Sequence, residues 1–146
     1  MLIKQISVFV ENTTGRLAKL TKVLEDANID IVALSIADTV DFGILRCIVS
    51  DPDRAAAELK KNGFTASITK VIAVEVDDVP GGLAKVLAYM AEDGVGVDYI
   101  YSFIRSHEGT ALILFKVSDS DKAIETLTKH SVPVLCQSDI NAIKGN

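Results

Sequence analysis

The sequence predicts an α+β protein built from two βαββαβ units, and three observations support this fold class. One segment recurs 66 positions further along the chain. Both copies contain segments in which apolar residues alternate, as in strands, and segments in which apolar residues have helical spacing. These segments follow the same order in the two copies. Between the copies lies a strand-like stretch without glycine or proline, which leaves almost no linker. The repeated segments are Val10 to Leu20 (VENTTGRLAKL) and Val76 to Val86 (VDDVPGGLAKV).

The first copy contains signals for four strands and two helices. Asp51 followed by Pro52 is typical of a helix start, and Asn62-Gly63 is typical of a helix end. The predicted elements are a strand to about Glu11, a helix from about Gly15 to Asn28, strands 32–37 and 43–49 joined as a hairpin through 38–42, the Asp51 helix, and a strand from about Thr65.

The second copy repeats this order, with two extra residues in its hairpin around Gly109. With right-handed crossovers, each copy predicts the ferredoxin-like arrangement, a four-stranded antiparallel sheet with two helices on one face. We place the domains at 1–70 and 71–146 and expect them to pack closely, because 64–76 contains no chain breaker. The remaining predicted elements are a helix with Leu83, Val86, Leu87 and Met90 as its buried stripe, a hairpin of 97–104 and 110–117, a helix over 121–129 and a strand over 134–140.

Composition limits the classes of function. The net charge of −5 gives no electrostatic reason to expect a nucleic acid or an anionic membrane as partner. The first residues enter a strand pattern directly and no apolar run has membrane-spanning length, so we expect a cytoplasmic protein. Cys47 and Cys136 lie in apolar runs without a second cysteine or a histidine nearby, which predicts free buried thiols and neither a metal nor a cofactor site.

The repeated loops offer binding chemistry without a nucleophile. A glycine allows close backbone approach, and the free N–H groups of a helix's first turn attract anions. Gly15 and Gly81 are equally consistent with tight strand-to-helix turns that bind nothing. An amide or acidic residue three positions earlier, Asn12 or Asp78, favours binding of a small carboxylate and is also consistent with a helix cap.

These features resemble the ACT domain, the small regulatory module of amino-acid metabolism. The resemblance covers essentially the whole chain, and its most specific residues lie in three segments. The second copy is the closer match, because Asp78 to Leu83 contains the acidic-x-Pro-Gly-x-Leu signature of the family. Asn12 to Leu17 is its counterpart, and Asn28-Ile29-Asp30-Ile31 resembles the family's entry to its second strand.

In ACT domains, amino acids bind at the junction between paired units, through the strand–helix loop and the start of the second strand. The implied ligand-binding residues are Asn12, Thr13, Thr14, Gly15, Arg16 and Asp30 in the first copy, and Asp78, Val79, Pro80, Gly81, Gly82 and Gly96 in the second. Thr14 stands where proline is usual, and Gly96 stands where the first copy has Asp30, so the two sites are expected to differ. We expect the second to be stronger, because Pro80 rigidifies its loop.

The resemblance implies a non-catalytic, allosteric regulatory protein that senses a free amino acid or a related small carboxylate. Its possible target is an enzyme of amino-acid metabolism. We also expect a homodimer, because exposed edge strands must be covered. Two alternatives stay open: a protein-interaction module that has lost its ligand, and a small hydrolase of the same fold. The hydrolase is the weaker hypothesis, because His107 and His130 lie in polar contexts and neither copy has a nucleophile-elbow motif.

Three aromatic residues, Tyr99, Tyr101 and Phe103, alternate along one predicted strand and therefore share a face. Packing against the small residues at the corresponding positions of the first copy is the favoured interpretation, and a ligand pocket is the alternative. RNA stacking is disfavoured, because the protein is acidic and lacks a basic-aromatic third-strand motif.

Overall fold

The structure is a computed structural model that describes residues 1–38 and 41–144. Thr39 and Val40, in the predicted hairpin turn, lie outside the described residues. The chain divides into two compact units, one comprising Lys4–Thr69 and the other Met1–Ile3 with the segment from Lys70 onward. The predicted α+β class and the ferredoxin-like βαββαβ order are confirmed.

In the first unit, the strands follow the order β2-β3-β1-β4. Its elements are β1 (Ile3–Glu11), α1 (Arg16–Asp26), β2 (Ile31–Asp38), β3 (Phe42–Val49), α2 (Pro52–Lys61) and the start of β4 (Thr65–Asp77). Val8 of β1 pairs antiparallel with Leu45 of β3, and Ile36 of the edge strand β2 pairs with the same residue from the other side. One face of the sheet packs on the helices through Leu20, Leu24 and Leu59, all buried.

The second unit has the same topology, with strand order β7-β4-β6-β5. Its elements are the remainder of β4, α3 (Gly82–Glu92), β5 (Val97–Ser102), β6 (Thr110–Val117), α4 (Ser120–Lys129), β7 (Val134–Leu135) and α5 (Gln137–Lys144). Val86, Met90, Phe115 and Leu127 form the centre of its core. As the missing chain breaker predicts, β4 is one continuous strand of 13 residues.

Local signals explain where the helices begin and end. Asp51 caps α2 by accepting a hydrogen bond from the Arg54 N–H (3.2 Å), and Asp119 caps α4 through Lys122 (3.1 Å). After α1, Asn28 has a φ of 56°, which ends the helix where the sequence predicts.

The final strand predicted over 134–140 is wrong beyond Leu135. The chain turns into α5 because the Asp139 carboxylate accepts a hydrogen bond from the Cys136 N–H (2.9 Å), three residues before it. This is the reciprocal half of a capping box, in which a side chain of the first helical turn satisfies the N-cap amide. The predicted strand 97–104 likewise ends earlier, at Ser102.

In the described part of the chain, both cysteines are free thiols. Cys47 is buried as predicted, and burial raises the pKa of its thiol to about 12. Cys136 is only half-buried and contacts Ser138 and Asp139. No helix within 1–38 and 41–144 is long and apolar enough to cross a membrane.

Candidate functional site

The first loop, 12–15, connects the end of β1 to the start of α1 and is exposed throughout. Gly15 has a φ of 91° and its carbonyl accepts the first helical hydrogen bond, from the Lys19 N–H (2.9 Å). The Asn12 N–H donates to the Asp41 carbonyl (3.0 Å), which ties the loop to the residue before β3. A Cβ on Gly15 would meet no described atom within 4 Å, so the backbone conformation and not the space requires glycine there.

The second loop, 78–81, has the same backbone bonding. Gly81 has a φ of 88° and accepts from the Lys85 N–H (3.0 Å). The Asp78 N–H donates to the Gly109 carbonyl (3.1 Å), as Asn12 does to its own neighbour. The two loops are therefore one structural solution used twice, and both are exposed to solvent.

The helices α1 and α3, which follow these loops, differ electrostatically from α2 and α4. Within the described residues, no side chain caps α1 or α3, and neither helix has an acidic residue in its first turn. By contrast, α2 and α4 have both an aspartate cap and a first-turn acid, Asp53 or Asp121. The starts of α1 and α3 thus lack the capping and first-turn carboxylates that α2 and α4 have, which favours an external anion there.

The residue after each loop glycine differs between the units. Arg16 places its guanidinium carbon 4.1 Å from the centre of the Phe64 ring, and its Nη2 lies 3.8 Å from the Glu11 carboxylate. The Arg16 side chain is 20% exposed, and its Nε is buried with no hydrogen-bond partner among the described residues. In the first unit this side chain fills the space beside the helix start.

Gly82 takes that position in the second unit. A Cβ there would overlap the Asp77 carbonyl, so close backbone packing excludes any other residue. A cleft of about 100 Å³ opens beside it, lined in part by Lys85, His130 and Val132. Lys85 Nζ lies 3.5 Å from the Asp77 carboxylate, and this exposed pair contributes little to stability.

A second cleft, of about 140 Å³, lies beside the first loop. Its polar lining residues are Glu11, Asn12 and Thr13, and its apolar lining includes Leu17 and Ile36. Leu17 is 40% exposed and Ile36 is 45% exposed, which leaves apolar surface available to a ligand. The sequence analysis missed Leu17, Ile36 and Gly43 as lining residues, although the predicted hairpin places 36 and 43 on adjacent strands.

The structure does not bring the two remaining predicted residues to the loop of their own unit. Asp30 precedes β2, which runs its full length before reaching the end of the sheet where Asn12 lies. Its backbone is held by Ser50 through two hydrogen bonds of 3.0 Å. Gly96 precedes β5 and is held in the same way by Ser118, at 2.9 and 3.1 Å. Within a unit, these positions fasten the start of a strand and the loops lie at the opposite end.

The two histidines contact side chains outside the loops. His107 Nδ1 lies 3.5 Å from the Glu75 carboxylate, and the His130 ring stacks on Tyr89 at 3.7 Å. Across the described ranges, histidine, cysteine and acidic side chains form no group of three that would hold a metal ion. Tyr99 and Tyr101 stack at 6.5 Å along β5, as their alternation predicts for a shared face.

Comparisons with known proteins identify a family and similar folds. A family model described as an ACT domain pair matches residues 1–143. A comparison with curated proteins gave no match. Among solved structures, protein BT0572 from Bacteroides thetaiotaomicron is 45% identical with a TM-score of 0.91, and the match covers 97% of this chain and 96% of that one.

Two more distant structures share the fold. The ligand-free regulatory subunit of aspartate kinase from Thermus thermophilus has a TM-score of 0.66 and 16% identity, over 86% of this chain and 91% of that one. The corresponding subunit from Thermus flavus has a TM-score of 0.61 and 15% identity, over 88% and 94%. At these identities the similarity concerns the fold alone.

Proposed function

The chain belongs to the ACT domain family, and on that premise we propose that it is a non-catalytic regulatory protein that binds a free amino acid at its strand–helix loops. The observation that carries the proposal is the cleft beside Asn12 and Thr13, which joins a helix N-terminus without a side-chain cap or first-turn acid to exposed apolar surface. A single small molecule with a carboxylate and an apolar part matches both.

Each part of an amino acid has a partner of suitable chemistry at the first loop. The carboxylate is placed at the start of α1, because the helix dipole and the N–H groups of a first helical turn both favour an anion. The ammonium group is attracted by the Glu11 carboxylate and the Asn12 side-chain oxygen, which line the same cleft. An aliphatic side chain rests on Leu17 and Ile36. This favours amino acids with apolar side chains.

The two loops have different arguments in their favour. Pro80 rigidifies the second loop and lowers the entropy lost on binding. The cleft with an apolar wall supports the first loop instead. The sequence favours the second loop, but we propose that the first contributes more affinity, because its exposed Leu17 and Ile36 add apolar burial to the helix N-terminus that both loops have.

A regulatory role is proposed for the chain, together with assembly into a homodimer. Membership of the ACT domain family supports an allosteric effect on an enzyme of amino-acid metabolism, and we propose that the protein acts in the cytoplasm. At the edge of the first unit's strand order, β2 exposes Leu34 and Ile36 by 42% and 45%. Exposed apolar edge strands are usually covered, so a homodimer through β2 is proposed.

Thermal denaturation with each of the twenty amino acids tests the proposed ligand. A ligand at 100 times its dissociation constant adds about 2.7 kcal/mol of stability. For a chain of this length, that raises the melting temperature by roughly 5–10 °C. If no amino acid shifts the melting temperature at millimolar concentration, the interaction-module hypothesis replaces this one.

Paired variants locate the site. Asn12→Ala and Asp78→Ala are the matched pair, and Ile36→Ala removes part of the apolar wall. We expect Asn12→Ala and Ile36→Ala each to weaken binding about tenfold, since each removes an interaction of about 1–2 kcal/mol. Asp78→Ala is expected to have a smaller effect. Folded variants that all bind with wild-type affinity would exclude the loops as the site.

A further inference from the structure

The helix layer of the first unit contains a groove at a position that side chains bridge in the second unit. It has a volume of about 290 Å³ and lies between α1 and α2. Val23 and Ala27 supply its apolar part, and charged side chains of both signs surround them. This volume equals that of about ten water molecules in the liquid, enough for a small organic solute.

In the second unit, side chains bridge the same position. The Asp93 carboxylate accepts hydrogen bonds from Thr126 Oγ1 (2.6 Å) and Lys129 Nζ (3.0 Å), which joins α3 to α4. Tyr89 stacks on His130 at 3.7 Å with the rings parallel to within 1°. These contacts close the space between the two helices.

The corresponding first-unit residues are unable to form those bridges. α1 and α3 are offset by 66 positions and α2 and α4 by 68, so Val23 stands for Tyr89 and Ala27 for Asp93. Neither side chain has a polar atom or a ring. Glu58 replaces Thr126, and it brings a carboxylate to the groove in place of a hydroxyl donor. The first unit therefore keeps Lys61, the counterpart of Lys129, without the aspartate that binds it in the second.

The charges around the groove form two pairs of opposite sign. Arg54 and Lys61 are cationic, and Asp26 and Glu58 are anionic. Arg54, Glu58 and Lys61 recur at intervals of four and three residues, so they share one face of α2. Asp26, on the facing helix, also pairs with Lys22 Nζ at 3.0 Å. Charged helix faces are commonly only solvated, but this one surrounds an apolar floor that the second unit covers with its own side chains.

We propose that this groove binds a small zwitterion, with its carboxylate toward Arg54 and Lys61 and its ammonium group toward Glu58 and Asp26. Free amino acids and short peptides share this chemistry. The site is separate from the loop cleft, because none of the residues that line the groove lines that cleft. The ligand takes the place of the Asp93–Lys129 bridge and joins α1 to α2.

Amide chemical-shift titration of the full chain with each of the twenty amino acids and with glycylglycine tests the proposal. At least one probe is expected to shift the amide signals of Val23, Ala27 and Glu58 saturably. Arg54→Gln and Glu58→Gln are expected to reduce that affinity about tenfold or more, because each removes a charged hydrogen-bonding partner.

The second unit supplies the matched blocking variant. Ala27→Asp combined with Glu58→Thr rebuilds the aspartate–threonine–lysine bridge with Lys61, and we expect it to abolish groove binding while the protein stays folded. Asn12→Ala serves as the control, since it alters the loop cleft and leaves the groove unchanged. Unshifted groove amides with every probe, or wild-type groove affinity in the folded double variant, would overturn the proposal. Groove shifts that disappear only with Asn12→Ala would also overturn it.

Discussion

Position for position, Arg16 in the first unit corresponds to Gly82 in the second, and Phe64 corresponds to Val132. Where the first unit stacks a guanidinium on an aromatic ring, the second has a cleft of about 100 Å³. The preceding glycines adopt almost the same φ, 91° and 88°, and the same first helical bond. The loop backbone is therefore independent of the side chains that surround it.

In the helix layers, the open space is in the first unit instead of the second. The first unit leaves its groove between α1 and α2 open, and the second closes the equivalent space with the Asp93 bridge. Each unit thus has a filled region where the other has an open one. Two copies of one fold offer chemically different surfaces, and corresponding positions need not have the same function.

The largest expected effect tests the difference at Gly82. We expect Gly82→Ala to destabilise the protein by about 2–4 kcal/mol, because the new methyl group overlaps the Asp77 carbonyl. Arg16→Ala removes a cation–π contact and some packing, and is expected to cost only about 1 kcal/mol. Chemical denaturation measures both. Equal losses would show that the loop at Gly82 relaxes as easily as its counterpart.

The next prediction tests the similarity of the loops. Gly15→Ala and Gly81→Ala are each expected to cost about 1–2 kcal/mol, since an alanine is strained at positive φ. The costs should be equal within error, because neither added methyl group meets a described atom within 4 Å. The melting temperatures of the two variants give the comparison. A cost at one position only would mean that the loops differ in backbone.

Most of the fold was predictable because its signals are local. The Asp51-Pro52 start of α2 and the Asn62-Gly63 end are properties of adjacent residues, and the structure confirms both. The continuity of β4 followed from the lack of any breaker between the repeats. Cys136 was wrongly predicted to lie in a strand, because apolar residues precede it. A carboxylate three positions later outweighs that pattern by capping a helix.

The site was less predictable than the fold because it depends on which elements meet. The loops themselves were identifiable from the repeat, but the wall formed by Ile36 requires the strand register. Asp30 was assigned from the family pattern, and within its unit it lies a full strand away from the loop. The sequence shows that Gly82 corresponds to Arg16. Only the structure shows that Arg16 stacks on Phe64 in the first unit, whereas the second unit has a cleft beside Gly82.

The helix caps provide a comparison that should show no difference. Asp51 and Asp119 accept hydrogen bonds of 3.2 and 3.1 Å from their third following residues. Replacing either with alanine is expected to cost about 1 kcal/mol, equally in the two units. Amino-acid binding at the loop clefts should not change, since neither cap belongs to α1 or α3. A changed affinity of a loop cleft in a folded cap variant would contradict the assignment of that binding to α1 and α3.

The smallest expected effect concerns the bridge in the second unit's helix layer. The hydrogen bond from Thr126, followed by that from Lys129, lowers the pKa of the Asp93 carboxyl. Its folded-state pKa lies below the unfolded value, so its contribution to stability is complete above the ordinary carboxyl pKa of about 3.9 and is lost as pH falls through the lowered value. The wild type should therefore exceed Asp93→Asn in melting temperature at neutral pH and approach it in acid. Thr126→Val, which keeps the shape of the buried side chain and removes the main cause of the shift, should reduce that dependence on pH. A constant difference between wild type and Asp93→Asn from pH 7 to below about pH 3 would show that the bridge acts through packing instead of charge.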